Sequence, residues 1–136
     1  MQIIKYYHHE MKKILSFLFG LLGLASMASA QSDSIRSVSA REFAQLIKAD
    51  SVCLIDVRTE EEFDAGYIEK AKNIDVLKGN FEDIAVSMIP KYKIVAVYCR
   101  SGKRSLKAAG ILIKDGYKVV NLRGGWIEWE EYNKKK

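Results

Sequence analysis

Histidine is nearly missing from this chain of 136 residues: the two present, His8 and His9, stand side by side near the amino terminus. Past residue 30 there is none. No cysteine–histidine dyad or triad can operate there, so a nucleophilic cysteine must be activated by other means. Two cysteines without histidine are also a poor ligand set for zinc, and neither a metal nor a cofactor is expected. The two cysteines, Cys53 and Cys99, form no C-x-x-C pair, which argues against a thiol-redox protein. Proline occurs once and glycine nine times, excluding a collagen-like or low-complexity chain. Aromatic and basic residues do not interleave as single-stranded nucleic acid requires. The net charge of +5 owes part of its value to the amino-terminal segment. Lys134–Lys136 reads as a solvated end, and no nucleic-acid partner is expected.

Residues 1–30 read as separate from the folded domain. Lys12 and Lys13 precede the apolar stretch Ile14–Ala25, and Ala28-Ser29-Ala30 supplies small residues at a cleavage site. Basic, apolar, then A-x-A is the order of a secretory signal peptide. The stretch is short for a transmembrane span, which needs about 20 residues. The expectation is cleavage after Ala30, with no stable membrane insertion afterwards and an exported, periplasmic or secreted product. Met11, just before the lysines, is the expected true start, with Met1–Glu10 an upstream extension. One domain, residues 31–136, remains, and it is mildly basic.

Along that domain, short apolar runs alternate with helical patterns. Ile35–Val38 is an edge-strand candidate, and Ser39-Ala40-Arg41-Glu42 is a capping box opening a helix that runs to about Ala49. Ser51–Val57 reads as a buried strand; Thr59-Glu60-Glu61-Glu62 is a second capping box, starting a short helix that Gly66 stops. Ala71–Asp75 is a short strand, and a helix opens at Gly79 or Asn80 and runs through Met88, before Pro90. Lys93–Tyr98 is the central strand, Arg104–Lys114 a helix and Lys118–Leu122 the last strand. Arg123-Gly124-Gly125 then turns into a helix carrying Trp126, Ile127 and Trp129. The two tryptophans lie at helical spacing, as core residues do. Strands that are apolar without alternation, separated by helices, predict an α/β fold with a parallel sheet covered on both faces.

Cys99 ends the central strand and opens C-R-S-G-K-R-S, Cys99 to Ser105. Ligands of open α/β sheets bind at that edge. Arg100, Lys103 and Arg104 lie close to the sulfur, and cations and a helix N-terminus both favour the thiolate, the reactive form. Gly102 can adopt φ > 0 and curl the chain into a nest of inward N–H groups that binds anions. Two other segments converge on this edge: Asp56-Val57-Arg58 and Arg123-Gly124-Gly125-Trp126. Asp56 and Arg58 could orient the loop; an ion pair holding the strand end is the preferred reading. Cys53 would lie about 10 Å below Cys99 on a neighbouring parallel strand. Disulfides need Cα atoms within about 7 Å, so Cys53 reads as a buried hydrophobe.

Four segments in order resemble the rhodanese (sulfurtransferase) homology domain. Leu54-Ile55-Asp56-Val57-Arg58 with Glu62-Phe63 is similar to its L-I-D-V-R-x-x-x-E-F segment, and Gly66 through Ile74 to G-H-I-P-G-A-x-N-I. Val97 through Ser105 resembles its active-site loop, and Gly116-Tyr117 through Gly124-Gly125-Trp126 its closing signature. The resemblance implies a three-layer fold with a central five-stranded parallel sheet and a six-residue loop, Cys99–Arg104. It implies that Cys99 takes a sulfane sulfur from a small anionic donor such as thiosulfate. Cys99 would hold it as a persulfide and pass it to cyanide, a thiol or a protein. Arg100, Ser101, Gly102, Lys103 and Arg104 would form the substrate loop, with Asp56 and Arg58 in support. The alternative is a noncatalytic or partner-dependent sulfur-carrier or binding module on the same fold. Related phosphatases need a longer loop, and Ser105 stands where their arginine would be, so phosphatase activity is not expected. One departure is Tyr67-Ile68-Glu69-Lys70 in place of H-I-P-G, a structural turn.

Overall fold

The computed structural model describes residues 35–136; the expected export signal and its cleavage point lie outside the described residues. Five strands alternate with five helices: β1 (Arg36–Val38), α1 (Ala40–Leu46), β2 (Val52–Asp56), α2 (Glu60–Asp64), β3 (Lys72–Asn73), α3 (Phe81–Met88), β4 (Ile94–Tyr98), α4 (Lys103–Lys114), β5 (Lys118–Leu122) and α5 (Gly125–Lys134). All pairings are parallel, in the order β1-β5-β4-β2-β3. The predicted five-stranded parallel α/β sheet is therefore present. No helix among the described residues is long and apolar enough to cross a membrane.

The strands are apolar throughout because the sheet is covered on both sides. On one face Cys53, Ile55, Val95, Val97 and Val119 pack against Phe81 and Ala85 of α3 and Ala108, Ala109 and Leu112 of α4. On the other, Leu54, Ala96, Tyr98, Val120 and Leu122 meet Phe43 of α1 and the half-buried Trp126, Trp129 and Tyr132 of α5. The tryptophans thus pack on the core, as their spacing predicts, although neither is fully enclosed.

Local chemistry explains where elements begin. The box at Thr59 forms completely: its hydroxyl accepts from the Glu62 N–H, and the Glu62 carboxylate accepts from Thr59. The box at Ser39 forms by half. Its hydroxyl accepts from the Glu42 N–H, but the Glu42 carboxylate turns to Arg36 at 2.6 Å. Glu128 of α5 accepts from the Ala40 N–H and ties α1 to α5. α1 ends three residues earlier than the pattern predicts. β3 keeps only two of the five residues predicted, because past Asn73 the backbone bonds continue irregularly, from Ile74 N–H to the Asp56 carbonyl and from Val76 N–H to the Val57 carbonyl. The register sets Cys53 opposite Val95, one position further from Cys99 than the spacing suggests, and both thiols are free.

The turn that departs from the rhodanese signature has a visible cost. Lys70 stands at the signature's second glycine and is the one non-glycine residue with positive φ, 72°, among the described residues. A side chain in that region costs about 1–2 kcal/mol, part of which glycine's greater unfolded-state freedom offsets. Lys70→Gly is expected to stabilise the domain by about 0.5–1 kcal/mol. It should read as a higher urea midpoint at unchanged m-value; a lower midpoint would show that Lys70 makes a compensating contact.

Candidate active site

β4 delivers Cys99 to the carboxyl edge of the sheet, and the chain then curls around its own sulfur. Cys99 is 1 % exposed, so its Sγ lies at the floor of a cup and not on a rim. Gly102 takes φ +103° and caps α4, as its position in the loop predicts. Its N–H donates to Sγ at 3.1 Å. Ser105, fully buried in the first turn of α4, holds its Oγ 3.4 Å from Sγ and donates to the Gly102 carbonyl at 3.0 Å. Burial pushes the Cys99 thiol up. The Ser105 hydroxyl and the N–H groups of Ser105, Gly102 and Ser101 more than reverse this, and the thiol ionises below its ordinary value. Ser105 is thus a residue of the site that sequence reading missed. Its place in the sequence marks it only as the position of a phosphatase arginine, and a separation of six residues from Cys99 carries no signal of contact.

The closing turn explains how the cup is held open. Gly125 has φ +61°, and a Cβ there would meet the Cys99 and Arg100 carbonyl oxygens at 2.5 Å. In that space the first amides of α5 reach the loop: Trp126 N–H donates to the Cys99 carbonyl at 2.8 Å and Ile127 N–H to the Arg100 carbonyl at 3.2 Å. With its carbonyls drawn outward, the loop presents its N–H groups inward. A Cβ on Gly102 would in turn strike the Arg123 carbonyl. Each glycine lets one segment approach the other.

The charged residues divide. Asp56 and Arg58 form a buried ion pair at 2.7 Å, with side chains 0 % and 3 % exposed. Arg58 also donates to the Gly66 carbonyl at 2.6 Å and lies 4.8 Å from the Trp126 ring centroid. The pair holds the strand end, as preferred from the sequence, and Arg58 braces the tryptophan whose amide holds Cys99. Removing one partner of such a pair typically costs about 3–5 kcal/mol. Arg104 does not stand free: it forms a two-pronged pair with Glu62, at 2.7 and 2.9 Å. Lys103 and Ser101 are exposed. Arg100, Arg58, Glu62, Gly66, Trp126 and Glu130 line a cavity of about 260 Å³ next to the loop; neither Cys99 nor Lys103 lines it. Of the loop cations grouped by sequence, Arg100 alone faces this space without an ion-pair partner among the described residues. Amides and a hydroxyl, more than cations, lower the thiol.

Residues 39–132 match the rhodanese-like domain family. The chain belongs to that family. It is 39 % identical over 89 residues to a sulfurtransferase of Allochromatium vinosum, covering 65 % of this chain and 80 % of that protein. It is 30 % identical over 118 residues to thiosulfate sulfurtransferase 18 of Arabidopsis thaliana, covering 78 % and 86 %. Among solved structures, the rhodanese-like domain protein of Staphylococcus aureus superposes with a TM-score of 0.62 at 33 % identity, over 70 % of this chain and 91 % of that one.

Glu62 gives this rhodanese a pH signature. Arg104 holds its carboxyl down at about 2, against an ordinary 4.5. A carboxyl depressed on folding contributes stability that is present above 4.5 and is lost as pH falls toward 2. Glu62→Gln is expected to remove that part of the acid sensitivity, flattening urea midpoints measured between pH 5 and 2 relative to wild type. Parallel curves would mean that the pair does not bear on folding.

Proposed function

We propose that this rhodanese moves a sulfane sulfur from a small anionic donor, through a persulfide on Cys99, to a thiophilic acceptor. The observation that carries the reading is the recessed Cys99 Sγ, which accepts from the Gly102 N–H and lies 3.4 Å from the Ser105 hydroxyl inside the loop. The Cys99 thiolate attacks the outer sulfur of a thiosulfate-like donor. A bond forms from Sγ to that sulfur, the donor's S–S bond breaks, and sulfite leaves with its electron pair. The charge now sits on the outer persulfide sulfur, at the mouth, where Arg100 and the N-terminal end of α4 favour an anion. An acceptor such as cyanide or a thiolate then attacks this sulfur, and the Cys99 thiolate departs. Once the Ser105 hydroxyl turns its proton from the Gly102 carbonyl to Sγ, it and the amides stabilise the same anion as attacking group in the first step and as leaving group in the second. No external oxidant or reductant enters, and no histidine is required.

A partner-dependent carrier is the second reading, and the Arg104–Glu62 pair favours it, because it withdraws one of the cations that would capture a free anionic donor. A thiosulfate-specific enzyme and a carrier loaded by another protein would share the chemistry and differ in the first step. Residues 1–30 fit this proposal as an export signal, setting the reaction in a periplasmic or extracellular space.

Intact mass after incubation with thiosulfate distinguishes these. The wild-type domain is expected to gain one sulfur atom and lose it on adding cyanide, while Cys99→Ser gains none. Loading only from a protein persulfide would select the carrier; no loading from either would reject sulfur transfer. The mass of the exported product also reads the amino terminus, expected at Gln31.

A further inference from the structure

Arg104 and Glu62 are paired but unequally tied. The Glu62 carboxylate is fixed from its own side, where it accepts from the Thr59 hydroxyl at 3.1 Å and from the Thr59 N–H at 3.5 Å, in the box that starts α2. The Arg104 guanidinium makes both of its hydrogen bonds to Glu62 and has no other partner among the described residues. Its backbone stands in the first turn of α4, one residue before Ser105, whose Oγ lies 3.4 Å from Sγ. Glu62 above all, and then the charges of Cys99 and Asp75, outweigh burial and raise the guanidinium above its ordinary value, so the sulfur is within its electrostatic reach. The two side chains are 24 % and 30 % exposed, and an ion pair in contact with water is held only weakly. Glu62 does not let go by titration. Arg104 keeps its carboxyl at about 2, below the range in which even activated thiols ionise. Only a competing anion can take the guanidinium from it.

From this asymmetry we infer that Arg104 is a movable cation and Glu62 the brake on it: Glu62 sets the charge preference of Cys99 for its reaction partners by holding Arg104 back from an anion at the sulfur. The inference deepens the proposed sulfur transfer and rests on it for the nature of the donor. At rest the pair presents no net charge to an approaching donor. An anion that reaches the sulfur competes with Glu62 for the guanidinium, and each added negative charge strengthens its claim. Holding Arg104 back therefore costs a dianion such as thiosulfate most and a singly charged reagent less. A neutral alkyl persulfide loses nothing by it. The capping bonds decide which partner moves: Glu62 stays on Thr59, and Arg104 swings. Glu62 is thus a positioning residue that acts through Arg104 and does not itself touch the sulfur.

The first test needs no sulfur transfer. Iodoacetate and iodoacetamide both alkylate Cys99 and differ by one charge, and their rate ratio on a given variant does not depend on how much thiolate is present. The ratio is followed at Cys99 by peptide mass, at low ionic strength, for the wild type, Glu62→Gln, Arg104→Gln and the double variant. Glutamine keeps an oxygen for the Thr59 cap. Glu62→Gln is expected to raise the ratio about three- to tenfold. In the Arg104→Gln background the same change should move it less than about twofold. Fixed charges would act additively, so this non-additivity is the mark of a released arm. No rise, or equal rises in both backgrounds, would overturn the inference. Thiosulfate carries two charges, and its loading rate, read by intact mass, should gain on Glu62→Gln by more than the iodoacetate ratio does; a slower loading would overturn the brake. If thiosulfate loads no variant, the sulfur-transfer reading fails, and the alkylation ratios still decide whether Glu62 restrains Arg104.

Discussion

Two hydrogen bonds hold the functional end of this domain in order: the amides of Trp126 and Ile127, at the start of α5, take the carbonyls of Cys99 and Arg100. A peptide unit has two polar ends, and turning one outward turns the other inward. By engaging the Cys99 and Arg100 carbonyls from outside, α5 turns the N–H groups of Arg100 and Ser101 inward beside that of Gly102, and such a cup of N–H groups favours an anion. Cys99 needs this help because it is buried, and burial alone would keep it protonated. The glycines at 102 and 125 are the condition for that contact, since each makes room for the other segment's carbonyl.

The same turn joins chemistry to the core. Trp126 contributes its amide to the loop and its ring to the packing, stacked near Tyr98 and over Arg58. Arg58 is fixed by Asp56 at the end of β2, and the Tyr98 hydroxyl, kept as a phenol by burial and by Asp56 nearby, accepts from the Ile68 N–H. A chain of contacts thus runs from the strand ends through one tryptophan to the nucleophile. Neither Asp56 nor Arg58 reaches the sulfur, yet loosening them would loosen the amide that shapes its cup.

Much of this was legible in the residues. Apolar runs without alternation indicated a two-sided parallel sheet, and the position of Cys99 between such a run and Gly102 indicated both the edge and the curl. The Asp56–Arg58 pair followed from an acid and a base two apart at a strand end. What escaped was long-range. Glu62 was visible as a capping residue, and it does cap, but its second task on Arg104 joins positions 42 apart in sequence. That pairing leaves Arg104 with a smaller share in anion capture than the loop sequence suggests. Gly125 looked like a turn glycine, and only the approach of a distant carbonyl gives it its importance. Ser105 faces the sulfur because a left-handed residue resets the helix phase, which no periodicity reveals.

The account's central claim is that the amide cup, held by α5, makes Cys99 an anion without histidine. The rate of iodoacetamide alkylation of Cys99 against pH measures this directly, in the wild type, Gly125→Ala and a variant lacking the Arg100 and Lys103 charges. A wild-type midpoint below that of an ordinary thiol, raised by Gly125→Ala and little moved by removing the charges, is the result the structure predicts. A midpoint indifferent to Gly125→Ala but raised by removing the charges would contradict it and return the activation to the loop cations.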